Sequence, residues 1–441
     1  MSAAPVVVVG AGLAGLVAAT ELRRRGVDVL CFEAAARPGG KVHTVHEDGY
    51  QLEWGPQSFL WEEDGALARA IASAGLAGEV LEPHPAARKR YVLWKGRLCR
   101  VPSEAWRVLG FSGLLRALWE PLVPRRRRGP PESVEAFVRR RFGRDVARRL
   151  FDALASGVFA GDPARLEAHT AFARMTELER DFGSVVRAAL GGGFRPRPLR
   201  GLRGGLGRLP QALAEGLGDA LRLETPVTAL RRSGVGWEVE AGGRAHAAAA
   251  VLVTVPADAA AELVRPLDAE LAGLLAGIPY AALASVTLAY EPAAFPEEPE
   301  GFGFLVPRGQ GDILGCLFPS AVFPGVAPEG RLQLRTMLGG RRDPGAVSQS
   351  DEALVARARA SVEEVLGAGW APERAWVVRH PRAIPQYELG HGERVRAIEA
   401  RAAKLGLWLT GNPYRGVSLG DVARDAEATA EAVAARLGAL A

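Results

Sequence analysis

Val6-Val7-Val8-Val9-Gly10-Ala11-Gly12-Leu13-Ala14-Gly15 carries an unbroken β-branched run into a turn whose glycines are spaced G-x-G-x-x-G. Four valines without polar alternation describe a strand buried on both faces, as in a parallel sheet. Gly10 permits the tight turn out of it, Gly12 leaves the backbone bare where a pyrophosphate approaches, and Gly15 lets the next helix lie close on the strand. That helix, predicted over Leu16 to Arg25, presents unpaired N–H groups and a positive dipole end to phosphate. A second strand, Val27 to Phe32, ends at Glu33, about twenty residues on, where a carboxylate accepts ribose hydroxyls. Strand, turn, helix, strand and acid in this order predict a dinucleotide-binding unit and an α/β fold.

At 441 residues the chain exceeds one ordinary core, so two or three domains are expected. Hydrophobic residues make up 48% and charged residues 24%, a globular balance rather than a disordered one. The net charge of +5 comes from arginine, since lysine occurs only at 41, 89, 95 and 404. Such a surface suits carboxylates or phosphates. Cys31, Cys99 and Cys316 lie far apart and form no CxxC, which fits a reducing compartment and neither a metal site nor a disulfide scaffold. The seven histidines are dispersed, so no metal is expected. Met1 to Pro5 is too short for a cleavable leader, and no apolar run reaches the roughly eighteen residues of a spanning helix. A cytoplasmic protein is expected, resting at most on the cytoplasmic face of the cell membrane.

Past Glu33, Arg37-Pro38-Gly39-Gly40-Lys41 and Trp54-Gly55-Pro56-Gln57-Ser58-Phe59 are two more glycine-marked loops. A cofactor reaching beyond its ADP half requires such additions; NAD alone does not. Helix is predicted at Leu67 to Ala77, and a strand and turn at Arg88 to Arg97. Between Pro102 and Pro124, Trp106, Leu109, Leu114, Leu115, Leu118, Trp119 and Leu122 recur mostly three and four apart, which predicts one apolar helical face ending at Arg125 to Arg128. Trp and Leu beside a basic cluster suit an interfacial anchor, and equally a core-packed helix with a solvated loop. Val134 to Ala155 and Leu178 to Leu190 extend the helices. Gly204 to Leu209 is no second fingerprint, because Pro210 stands where its third glycine belongs. Val251 to Val255 reads as a buried strand returning to the first domain, Ala284 to Leu338 as strands of a second sheet covered by a helix at Glu352 to Leu366, and Leu405 to Gly411 as a strand before a long helix from Asp421 to Leu440.

Gly416-Val417-Ser418-Leu419-Gly420 fits the G-x-S-x-G nucleophile elbow, but that chemistry needs a later histidine and none follows His391. Ser418 is therefore read as a turn residue and Asp421 as the cap of the final helix, whose dipole would stabilise negative charge on a ring placed there. The basic cluster lacks interleaved aromatics, so no nucleic-acid partner is expected.

With the glycine turn, Arg37-Pro38-Gly39-Gly40 and Gly411-Asn412-Pro413-Tyr414-Arg415-Gly416-Val417, the sequence resembles the FAD-dependent amine-oxidase-like superfamily. Four further segments make it similar to the protoporphyrinogen oxidases within it: His84 to Tyr91, Gly157 to Asp162, Gly301 to Pro307 and Ile384 to His391. The resemblance implies an FAD domain of separated segments (1–85, 201–262 and 402–441), a mixed-sheet substrate domain (86–97 and 263–401) and a helical, membrane-associating segment (98–200). It implies oxidation of a porphyrinogen to a porphyrin with oxygen as acceptor and peroxide as product. Gly10, Ala11, Gly12, Leu13, Ala14 and Gly15 would hold the pyrophosphate, helped by Arg37 and Gly40, and Glu33 with Ala34 the ribose. Lys41 and Gly55, Pro56, Gln57 and Ser58 would line the ribityl chain and ring, Val227 the adenine, and Val417, Ser418 and Leu419 the pyrimidine edge. Arg90 would bind a propionate, Gly157 would face the macrocycle and Met337 would pack on a pyrrole. Besides substrate and oxygen, peripheral membrane contact and a homodimer are left open.

Departures from the pattern are Gly420-Asp421-Val422, where the family has Asn-Asp-Cys, and Trp54, where a smaller residue is usual. No general base is forced, and His391 and Tyr387 are read as structural. Coproporphyrinogen is the alternative substrate; an amine oxidase and a non-catalytic flavin or porphyrin carrier are the other readings.

Overall fold

The four valines form the strand Val6–Val9, none more than 3% exposed. It is the centre of a five-stranded sheet ordered Leu221–Arg222, Val29–Phe32, Val6–Val9, Ala250–Val253, Leu407–Leu409, and every pairing is parallel. The computed structural model describes residues 4–126, 129–193, 197–234 and 236–438. Because side chains alternate along a strand, Val6 and Val8 enter one core while Val7 and Val9 enter the other. The first core is covered by the helices Leu13–Arg24, Arg208–Leu217 and Leu419–Gly438. The second is covered by a three-stranded sheet (Val227–Ser233, Gly236–Ala241, Arg244–Ala248) and the helices Ala257–Val264, Ala269–Ala276 and His391–Leu405.

A seven-stranded mixed sheet forms the second body, in the order Arg374–Pro385, Tyr280–Tyr290, Leu332–Gly339, Gly315–Leu317, Gly303–Leu305, Arg90–Trp94, Arg97–Val101. One face packs on the helix Asp351–Leu366 through Val286, Leu288, Phe304, Cys316 and Leu334. The other face is turned toward the first body and the helical segment. Sequence periodicity finds neither the strand Arg374–Pro385 nor the helix His391–Leu405: the strand carries three arginines and a histidine, and the helix has a narrow apolar stripe of Val395, Ile398 and Ala402.

The helical segment differs from its reading as long regular helices. Ala105–Leu118 is broken at Gly110 (φ 71°, ψ 171°), so the apolar residues do not share one face. Val108, Leu109 and Gly113 are buried, whereas Trp106, Phe111, Leu118, Trp119 and Leu122 are exposed by 55 to 78%. The stretch Val134 to Ala155 is two helices, Val134–Phe142 and Asp152–Phe159, joined through Gly143 (φ 96°) and a π-helical turn. Leu178 to Leu190 is likewise split at Gly183. Each break falls at a glycine with positive φ, a conformation other residues adopt only at a cost. Of the basic cluster, Arg126 pairs with Glu132 at 3.3 Å and Arg125 donates to Arg180 O at 3.1 Å; Arg127 and Arg128 lie outside the described residues. No helix among the described residues is long and apolar enough to cross a membrane.

Candidate active site

Gly10 turns out of the central strand at φ 101°, and a Cβ on Gly15 would stand 1.9 Å from Gly10 O, so helix and strand meet only through glycine. A Cβ on Gly12 would meet nothing within 4 Å except its own neighbours, which leaves open space over the helix N-terminus. Leu13 and Ala14 point into the core below. Gly39 N–H donates to Ala11 O at 2.7 Å, bringing the second glycine loop beside the first, with Gly40 bordering Gly12. Ala34, Arg37 and Gly40 are exposed along this edge. Glu33 accepts from Ala11 N–H at 2.7 Å and from Ala35 N–H at 2.9 Å, which fixes its carboxylate at the rim of the cradle. Thr225 N–H donates to Glu33 O, and the strand beginning at Val227 leaves from there, so Val227 reaches the same end. A bare helix N-terminus, a fixed carboxylate and an arginine at the rim fit an adenine dinucleotide.

The remaining cofactor candidates continue from this cradle. A Cβ on Gly55 would lie 1.8 Å from Lys41 O, so the Trp54 to Ser58 turn is pressed against the Lys41 backbone. Lys41 Nζ donates to Ala383 O at 2.7 Å and lies 5.4 Å over the Tyr280 ring. Burial lowers its pKa to about 8. His380, whose ring nitrogen meets Trp54 O at 2.6 Å, is held below its ordinary value, chiefly by burial.

The C-terminal turn closes the arrangement. Gly411 lies beside Ala14, and the final helix packs along the first. Asp421 is not the cap expected of it: Ser418 is, accepting from Asp421 N–H at 3.1 Å and donating to the Asp421 carboxylate at 2.6 Å. The helix therefore starts at Leu419, two residues earlier, and its N-terminus opens directly on Val417 and Ser418. Tyr387 ties this turn together, donating to Asn412 O at 2.6 Å and accepting from Gly416 N–H at 2.7 Å. Its ring stacks on His391, centroids 4.1 Å apart, and burial pushes the phenol up and the imidazole down to about 4. A buried neutral histidine and a doubly bonded phenol serve structure rather than proton transfer.

The substrate candidates meet on one pleat face of the seven-stranded sheet. Cross-strand partners share a face, and the register pairs Arg90 with Gly303, Gly303 with Leu317, and Leu317 with Arg335. The neighbouring row runs Val92, Leu305, Gly315, Met337, Ser285. Gly157, on the helix Asp152–Phe159, faces this row: a Cβ there would come within 2.6 Å of Leu305 Cδ2. Met337 packs with Ala160, Leu314 and Leu283. Arg90 is exposed, its guanidinium 5.4 Å over Phe302, while its neighbour Lys89 is engaged by Glu300. Gly303 and Gly315 lie between the Arg90 edge and the Leu305 and Met337 positions, and a Cβ on either would meet neighbouring backbone, at 2.2 Å from Cys316 O and 2.6 Å from Phe304 O. An arginine at the edge of an apolar row suits a ligand that joins an anionic group to an apolar body.

Two groups beside the site carry no motif. Arg335 is 3% exposed and bonds Ser285 Oγ (2.7 Å), Gly55 O (2.9 Å) and Gln57 Oε1 (3.2 Å), all neutral; burial lowers its pKa to about 10. Glu53, 4% exposed, accepts from Leu206 N–H and Thr44 Oγ, each at 2.9 Å, and burial raises it to about 7. Their one local signal is a charged residue inside an apolar strand, Leu332-Gln333-Leu334-Arg335-Thr336-Met337 and Tyr50-Gln51-Leu52-Glu53.

Residues 13–434 match the flavin containing amine oxidoreductase family. The chain is 35% identical to a chloroplastic protoporphyrinogen oxidase of Oryza sativa subsp. japonica, covering 95% of this chain and 85% of that one. It is 30% identical to a coproporphyrinogen III oxidase of Propionibacterium freudenreichii, covering 97% and 90%. Its backbone superposes on a crystal structure from Exiguobacterium sp. 255-15, described as a candidate protoporphyrinogen oxidase, with a TM-score of 0.86, 25% identity and coverage of 99% and 100%.

Proposed function

The chain belongs to the flavin containing amine oxidoreductases, as a protoporphyrinogen-oxidase-like member, and from that premise we propose that it oxidises protoporphyrinogen IX to protoporphyrin IX with bound FAD. The observation that carries this reading is the strand register that sets Arg90, Leu305 and Met337 on one sheet face, with Gly157 opposite Leu305 and Arg335 leading to the Gly55 to Gln57 turn. FAD, when bound, would supply acceptance of a hydride from a ring carbon and transfer of the electrons to oxygen, with three such oxidations per macrocycle and three peroxides formed.

The protein's own part is to bind and orient. Arg90 holds a propionate, so that a charged edge stays paired while the ring is buried. Gly157 leaves backbone where a side chain would clash, and Met337 supplies a deformable apolar contact. At the cofactor, the Gly10 to Gly15 turn takes the pyrophosphate, Glu33 the ribose, and the N-terminus of the Leu419–Gly438 helix the pyrimidine edge. Three protons accompany the three hydrides, two from ring N–H groups and one from the fourth bridging carbon after tautomerisation; they would leave to solvent, and no side chain in this geometry is assigned as their base.

Coproporphyrinogen III is the second reading, supported by the identity shared with the Propionibacterium enzyme. Arg88, exposed beside Arg90, would meet one of its two additional carboxylates. Anaerobic mixing with each porphyrinogen separates them: the flavin absorbance is expected to bleach faster with protoporphyrinogen. Faster bleaching with coproporphyrinogen reverses the assignment, and bleaching with neither removes both. The exposed Trp106, Phe111, Leu118 and Trp119 support a peripheral membrane contact.

A further inference from the structure

Arg335 is a buried cation whose three hydrogen-bond partners are all neutral. Buried guanidinium groups ordinarily face a carboxylate, because an unpaired charge in the interior is costly. Elsewhere in this chain they do: fully buried Arg141 is held by Glu120, and Arg342 by Asp152 at 2.6 Å. The partners of Arg335 are Ser285 on the next strand, which fixes its Nε, and the Gly55 carbonyl and Gln57 side chain, which take one N–H from each terminal nitrogen. The fork therefore grips the turn that also presses on Lys41. The nearest carboxylate is Glu53, engaged by Leu206, Thr44 and Gln51. Glu53 and Gln57 open on one cavity of about 340 Å³. The other cations facing the turn are Lys41, which burial brings toward neutrality, exposed Arg37, and His380, which burial keeps neutral.

We propose that Arg335 is a positioning residue of the redox site, holding the Gly55 to Gln57 turn against the sheet and setting a fixed positive field on the flavin that the turn lines. This rests on the FAD reading above. Two electrons passed to the flavin add negative charge, so a fixed cation within a few ångströms of the turn favours the reduced form in a site where water does not screen it. Glu53 opposes that field when ionised. Arg335 and Met337 are two residues apart on one pleat face, so a single strand aligns the electrostatic support of the flavin with the floor under the substrate.

The test is equilibrium reduction of the purified holoprotein at pH 8 against a two-electron reference dye, read as the ratio of reduced to oxidised flavin. Arg335→Met is expected to lower that ratio about tenfold or more, and Arg335→Lys, which keeps the charge without the fork, to stay within about threefold of the parent. Glu53→Gln, which removes the opposing charge and keeps the hydrogen-bonding shape, is expected to raise it. A fold-supporting role alone predicts no shifts of opposite sign. An unchanged ratio in Arg335→Met overturns the proposal; if that variant does not retain flavin, an unchanged ratio in Glu53→Gln overturns it. A parent protein purified without flavin, and not taking it up, removes the FAD reading itself, a separate outcome.

Discussion

Glu53 shows how one side chain acquires a pH response from its burial. Its two oxygens are satisfied by neutral donors, and the loss of hydration outweighs them, so the carboxyl titrates near 7 rather than near 4.5. A group with a raised folded-state pKa binds more protons when folded, so its stabilising contribution is present below about 4.5 and is lost as pH rises to about 7. The parent protein is expected to lose roughly 1–3 kcal/mol relative to Glu53→Gln over that window. Thermal or urea unfolding of both proteins at pH 4.5 and 7.5 measures this, and parallel profiles would show that the carboxyl does not titrate there. Arg335 and Gly15 teach the same lesson in other terms. A guanidinium among neutral groups and a glycine whose added Cβ would stand 1.9 Å from a carbonyl are explained by what surrounds them, not by their immediate sequence.

Among the elements, the helical segment is held by charge as much as by apolar packing. Glu120 and Arg141 are both fully buried; Glu120 also takes the N–H groups of Val185 and Val186 at 3.1 Å, and the Ser184 hydroxyl, at the start of the helix Val185–Leu190. Removing the Glu120 carboxylate strips these donors of their acceptor and leaves Arg141 with Glu179, at 3.3 Å, and backbone carbonyls such as those of Val123 and Gly183. Glu120→Ala is expected to destabilise the protein by about 3–5 kcal/mol, seen as a lowered unfolding midpoint. An unchanged midpoint would mean that the segment is not cooperative with the rest.

The break at Gly110 bears on the same segment. It turns Trp106 and Phe111 outward rather than into a common core, leaving an apolar surface with Leu118, Trp119 and Leu122. If this surface lies on lipid, Leu115→Glu with Trp119→Glu should release the protein from vesicles without changing its melting temperature. Undiminished vesicle binding by the folded double variant would rule the surface out.

At the scale of the whole molecule, the proposed substrate site draws on pieces far apart in the chain. Arg90 enters through a hairpin at one edge of the seven-stranded sheet, Met337 lies three strands away, and Gly157 arrives from the helical segment. Loss of a charge-assisted contact at the substrate's edge should act on binding, leaving the cofactor alone. Arg90→Ala is expected to raise KM for the porphyrinogen about tenfold to a hundredfold, with flavin content and kcat close to the parent. A variant that loses kcat with KM unchanged would place Arg90 elsewhere in the reaction.

The sequence by itself determined the βαβ unit, its glycine turn and the position of Glu33 at the end of the second strand, because strand, turn and helix are local and each glycine answers a local need. It also determined the returning strand at Val251 and the last helix, through apolar runs that survive any context. It misplaced that helix's cap by three residues, since Ser418 and Asp421 are both good cap formers and only the course of the turn distinguishes them. Glycine breaks inside the helical segment were hidden by apolar spacing that continues across them. Only the tertiary structure decided that Arg335 grips Gly55, 280 positions away, and that Arg90, Leu305 and Met337 share a face. Strand register and sheet order fix those meetings, and both are set by packing between segments remote in sequence, which no local spacing encodes.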